Sequence, residues 1–162
     1  MNSLPKDKIK DRLMVEVHYY TPFQFCLLKK DEEWGKMFYY WGKDFHSKTD
    51  VERNCTWGEE ELVDSLFNGL KTKFIDKGIP VILGEFGAYR RKINDPENQD
   101  LNNKSVEYFN KYVVKRAISN GIIPYYWDTP GNLFNRNTVE ILDKGVLKAL
   151  MEAAKESEII SN

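Results

Sequence analysis

Long apolar runs, abundant cysteine and an excess of either charge are all missing from this 162-residue chain, and each absence removes a class of protein. No stretch approaches the about 18 consecutive apolar residues of a membrane span, so no membrane is expected among its partners. The two cysteines, Cys26 and Cys55, have neither the density of a disulfide scaffold nor the spacing of a metal site, and read as ordinary thiols. Lys plus Arg number 24 against 25 for Asp plus Glu, a net charge of −1. No sustained positive field therefore draws nucleic acid or anionic lipid, and a neutral ligand fits better. The segment Met1–Arg12 is polar and lysine-rich with no apolar centre, so no secretory signal is read in it. That leaves a cytoplasmic protein, or one whose true beginning lies upstream.

What is present in excess is aromatic: nine Tyr, nine Phe and four Trp. Much of this lies outside the periodic segments, where ligand-stacking surfaces are built. The length is one domain's worth by the usual range of about 100–200 residues, enough to bury a core without cross-links. It falls short of the about 250 residues of a complete (β/α)8 barrel.

Along the chain, residues 13–20 are β-branched and aromatic and stop at Thr21-Pro22, as a strand does. Residues 22–57 have no clean period and carry Trp34, Tyr40, Trp41 and Trp57, and connections that long are generally functional or disordered. This one is too aromatic for disorder. From Gly58-Glu59-Glu60-Glu61 the pattern turns helical, with Leu62, Leu66, Phe67, Leu70 and Phe74 recurring until Gly78 and Pro80 stop it. Residues 80–86 are a continuous apolar run, as in a buried parallel strand, and end in Glu85 and Phe86. A polar loop is expected over 90–103, then a helix over 105–119 with Val106, Phe109, Val113 and Ile118 inward. Residues 121–127 read as a third strand and 128–137 as a loop. Thr138 is expected to cap a last helix reaching Lys155, with Val139, Leu142, Val146, Leu147 and Leu150 inward.

Strand, loop and helix thus recur three times, an order that implies an α/β fold with parallel strands and right-handed crossovers. In such folds ligands meet the chain at the carboxyl ends of the strands. Those ends carry His18 and Tyr20, then Glu85, then Trp127. Glu85 is flanked by Gly84 and Gly87, which permit close approach, and a carboxylate there is costly unless hydrogen-bonded or used. A salt bridge to a neighbouring strand is the bland alternative. His18 and Tyr20 share side-chain parity and can face one centre. Trp127 offers a flat face for a pyranose ring or for a core, and Asp128 beside it reads as a turn residue.

These motifs carry a resemblance. His18-Tyr19-Tyr20-Thr21-Pro22, Tyr40-Trp41-Gly42, Gly78 through Gly87 and Tyr125-Tyr126-Trp127-Asp128, in that order, resemble the C-terminal part of a glycoside hydrolase family 5 endo-β-1,4-glucanase. The resemblance implies about three βα units of a TIM (β/α)8 barrel, strands six to eight, with residues 1–162 as a partial catalytic domain. It implies Glu85 as the nucleophile of a retaining, double-displacement hydrolysis, with His18 and Tyr20 orienting it and the sugar. Trp127 would lie under that sugar, and no metal or organic cofactor is needed. The loop aromatics Trp34, Tyr40, Trp41 and Trp57 either line further sugar subsites or pack the long loop onto the barrel, and Trp41 and Trp34 are the two taken as substrate-binding. The family's acid/base glutamate sits in an Asn-Glu-Pro motif that these residues do not contain, because Glu97 follows Pro96 in another setting. The chain alone is therefore expected to be inactive or very weak, and catalysis to need a complementary half-barrel. The alternatives are a β-glucan-binding fragment without chemistry, or a fragment that only self-associates through its open strand edges. β-Glucan polysaccharide or oligosaccharide is the expected ligand, and an extracellular or periplasmic location is implied by the family only.

Overall fold

Val15–Tyr19 forms β1, Val81–Phe86 forms β2 and Ile123–Pro124 forms β3, and they make one parallel sheet in the order β1-β2-β3. The computed structural model describes residues 4–5, 8–9, 11–129 and 131–160. Among the described residues four α-helices accompany the strands: a single turn α1 at Phe23–Cys26, then α2 at Glu60–Lys73, α3 at Pro96–Ser119 and α4 at Lys144–Ile160. Short 3-10 turns at Lys43–Phe45, Val51–Arg53 and Ile75–Lys77 complete the connections.

The helices cover one face of the sheet. Val63 and Phe67 of α2, Val106, Phe109 and Val113 of α3, and Val146 and Ala153 of α4 are buried with Tyr19, Val81, Leu83, Phe86 and Ile122. Tyr19 meets Phe67 edge-on at 5.5 Å and lies parallel to Phe109 at 6.2 Å. α2 has Glu60 and Glu61 in its first turn and Lys71 and Lys73 in its last, the arrangement the helix dipole favours. The opposite sheet face is open, and Met14, Ile123, Tyr125 and Trp127 are exposed.

Several boundaries differ from the sequence reading. α3 begins at Pro96, not near Ser105, because Asp95 caps it by accepting a hydrogen bond from the Asn98 backbone N–H at 2.8 Å, and Pro96 suits the first helical position. Its early turns are polar because they hold the long loop rather than the apolar core. Asn98 Oδ1 accepts from the Ser47 hydroxyl at 2.7 Å, Asn102 donates to the Tyr39 carbonyl at 2.6 Å, and Ser105 donates to the Trp41 carbonyl at 2.8 Å. α4 is capped by Asp143, which accepts from the Val146 N–H at 2.9 Å, and not by Thr138. Val139 and Leu142 consequently lie before the helix and are exposed, and Leu66 on α2 is exposed as well. The third strand is short, Ile123–Pro124, and Pro124 sits where its nitrogen faces the open edge of the sheet, so its missing N–H takes nothing from the pairing with β2. Its direction nonetheless continues, with Tyr125 N–H donating to Leu83 at 2.8 Å and Trp127 N–H to Phe86 at 3.1 Å.

Candidate active site

The pairing of β1 with β2 slips between Val17 and His18, so that Val17 faces Leu83 while His18 faces Glu85. Gly84 is the extra residue, a β-bulge. Side chains alternate along a strand, so without the bulge Glu85 would share the buried face with Val81 and Leu83. The bulge turns the Glu85 carboxylate to the open face and sends Phe86 into the core instead. A Cβ at Gly84 would meet the exposed Glu16 side chain, which would have to swing aside. The sequence signal was available, an isolated glycine inside an apolar strand.

Tyr20, His18 and Glu85 meet on this open face at the carboxyl end of the sheet. The Tyr20 hydroxyl donates to Glu85 Oε2 at 3.0 Å, and His18 Nδ1 lies 3.5 Å from the same oxygen. Burial and the hydrogen bond to Glu85 raise the Tyr20 hydroxyl well above the ordinary tyrosine range, so it stays a donor at neutral pH. The other ring nitrogen of His18 is 3.0 Å from the Glu16 carboxylate. Glu16 shares the parity of His18 and Tyr20 and was missed, although the alternation Glu16, His18, Tyr20 announces it.

The tryptophans separate into different roles. Trp127 is 50% exposed on the open face and shares a small cavity with Tyr20, Gly87 and Tyr126. Trp34 is 63% exposed and leans on Phe23 at 6.1 Å, on the loop after β1 and outside the contact network of Glu85. Trp41 corrects the sequence reading: it is 0% exposed, packs on Tyr108, Phe109 and Tyr112, and donates Nε1–H to the Gly58 carbonyl at 2.8 Å. A side chain so enclosed has no face left for a sugar. Asp128 is a turn residue, accepting from the Leu133 N–H at 2.9 Å.

Arg91, in the loop after β2, clamps the turn that follows β1. It is 9% exposed and donates to the carbonyls of Leu28, Gln24 and Phe25 at 2.6, 3.2 and 2.7 Å. Cys26 and Cys55 are buried free thiols, both raised by burial and therefore protonated. Among the described residues no group of His, Cys, Asp and Glu is arranged to hold a metal, and no helix is long and apolar enough to cross a membrane.

A parallel sheet that gathers a hydrogen-bonded carboxylate, tyrosine and histidine at its carboxyl end agrees with comparison to known proteins. The family profile described as cellulase, glycosyl hydrolase family 5, matches residues 1–132. The chain belongs to glycosyl hydrolase family 5. Endoglucanase A of Paenibacillus barcinonensis is 33% identical over 147 residues, covering 87% of this chain and 34% of that protein. A xyloglucan-specific endo-β-1,4-glucanase of Bacteroides ovatus is 30% identical over 152 residues, 93% of this chain and 29% of its own length. Among solved structures, a xyloglucan-specific β-1,4-glucanase from a ruminal metagenomic library, in complex with XXLG, superposes with a TM-score of 0.77 at 34% identity, over 89% of this chain and 39% of that one. The Bacteroides ovatus xyloglucanase, in complex with a XXXG heptasaccharide, gives 0.81 at 27% identity, over 94% and 32%. The chain spans about a third of the length of these curated relatives. Its three-stranded sheet with covering helices is a part of the TIM barrel of this family.

Proposed function

We propose that this chain supplies the nucleophile side of a β-1,4-glucan hydrolase that works by retaining double displacement. Glu85 attacks the anomeric carbon as the glycosidic C–O bond breaks and the leaving oxygen takes a proton from an acid; water, losing a proton to that acid's conjugate base, then hydrolyses the glycosyl ester and frees the sugar and the Glu85 carboxylate. The observation that carries the reading is the Tyr20 hydroxyl bonded to Glu85 Oε2 at 3.0 Å. A donor that stays protonated fixes the rotamer of the carboxylate and leaves the other oxygen to attack. His18 Nδ1 stands 3.5 Å from the same oxygen, and Trp127 presents an apolar face to the ring of the sugar being cleaved. Trp34 is assigned to a more distant sugar.

A retaining site needs a second carboxyl about 5–5.5 Å from the first. Glu16 does not fit that role, because the His18 ring stands between it and Glu85. The acid/base is assigned to a complementary part of the barrel, and these residues by themselves to negligible turnover. The exposed Met14, Ile123, Tyr125 and Trp127 and the unpaired outer edges of β1 and β3 support association, either with that part or with a second copy. The family points to secretion.

The test is a chimaera that joins this chain to the preceding part of the Paenibacillus barcinonensis barrel, assayed on soluble β-glucan. Activity that falls by about three orders of magnitude or more in Glu85→Gln supports the assignment. A folded, active chimaera indifferent to that substitution overturns it.

A further inference from the structure

The small cavity beside Tyr20 and Trp127 does not end there. It shares Tyr89, Thr129 and Asn132 with a neighbouring cavity of about 450 Å³ whose wall also carries Lys29, Arg90 and Arg91. That volume is within the range of small-ligand clefts, about 300–1,000 Å³.

Charge distinguishes this second cavity. Arg90 is compensated, since it donates to Asp143 Oδ1 and to Glu107 Oε1 at 2.8 Å each. Lys29 and Arg91 are not: among the described residues neither has a carboxylate partner. Lys29 lies over the Tyr89 ring at 5.5 Å, and the Arg91 guanidinium is held by neutral carbonyls. Arg91 Nε, buried, has no hydrogen-bond acceptor. A cleft with two positive charges unmatched by acid, beside hydroxyl and amide groups, is complementary to a polyhydroxyl ligand that brings its own negative charge.

We propose that this cavity is a subsite for a sugar unit carrying a carboxylate, with Lys29 meeting the carboxylate and Thr129 and Asn132 the hydroxyls. The inference rests on the glycan reading of the Trp127 surface and adds to it a preference for uronic acid-bearing β-glycans over neutral ones.

Calorimetric titration of the chain with cellotetraose, and with cellotetraose oxidised to the carboxylate at C6 of both terminal units, tests it. The acidic sugar is expected to bind about fivefold tighter at low salt, the scale of one exposed ion pair. The ratio should shrink toward one at about 0.5 M salt, vanish in Lys29→Gln and persist in Lys29→Arg. Lys29 is exposed, so these variants should fold. Equal affinity for the two sugars, with both lost in Trp127→Ala, overturns this inference alone, as does a preference that survives Lys29→Gln. Absence of binding by either sugar overturns the glycan reading as well.

Discussion

Trp41 and Trp127 provide a pair of substitutions whose effects should fall on different measurements. Trp41→Ala removes a side chain that is 0% exposed and packed against Tyr108, Phe109 and Tyr112. Truncations of this kind cost about 3–5 kcal/mol through lost contacts and residual cavity. The substitution also strips the Gly58 carbonyl of its Nε1–H donor, which adds to the upper part of that range. Against a total stability of about 5–15 kcal/mol, the chain should melt about 10 °C lower. Trp127→Ala removes a ring that is 50% exposed, while its backbone N–H keeps its bond to Phe86. Its stability cost should be about 1 kcal/mol or less. Thermal melts by circular dichroism, with cellotetraose titrations of each variant, separate the two. A Trp41→Ala chain that melts with the wild type refutes the core assignment, and a Trp127→Ala chain that binds sugar unchanged refutes the stacking surface.

Three further outcomes follow from the same contacts. Burial pushes the Asp143 carboxyl up, but the Arg90 hydrogen bonds and the Val146 N–H outweigh it, so its folded value sits below the ordinary one. Its stabilisation is therefore complete above about pH 4 and is lost as pH falls through that lower folded value; Asp143→Asn should cost about 2 kcal/mol at pH 7 and flatten the acid limb of a urea-stability profile. Arg91→Ala leaves the Leu28, Gln24 and Phe25 carbonyls without their donor and should cost about 3 kcal/mol by denaturant unfolding; an unchanged midpoint would show the clamp to be idle. Tyr20 is raised by burial first and by Glu85 second, so Glu85→Gln should lower its titration midpoint by only part of the shift, followed by tyrosinate absorbance.

The order of elements was legible because apolar period and turn residues agree over β1, α2, β2 and the second half of α3. Boundaries failed where polar residues do structural work. Asn98, Asn102 and Ser105 sit on α3 yet bond the aromatic loop, so hydrophobic period sees nothing before Val106. Val139 and Leu142 imitate a helical face but precede the Asp143 cap. The cluster of His18, Tyr20 and Glu85 was legible from strand parity and the ends of apolar runs. The reason Glu85 can join it was not, since only the bulge at Gly84 reverses the alternation. Trp41 shows the limit of residue type: an aromatic in a long loop reads equally as binding surface or as packing until the helix that encloses it is placed.

The central claim is that Glu85 forms the bond to sugar. Incubating the chimaeric barrel with a 2-fluoro cellobioside bearing an activated leaving group, then mapping the trapped adduct by peptide mass spectrometry, tests it most directly. The account predicts a single glycosyl ester on the peptide containing Glu85, absent in Glu85→Gln. An adduct on another carboxylate, or an active chimaera that traps none, would contradict it.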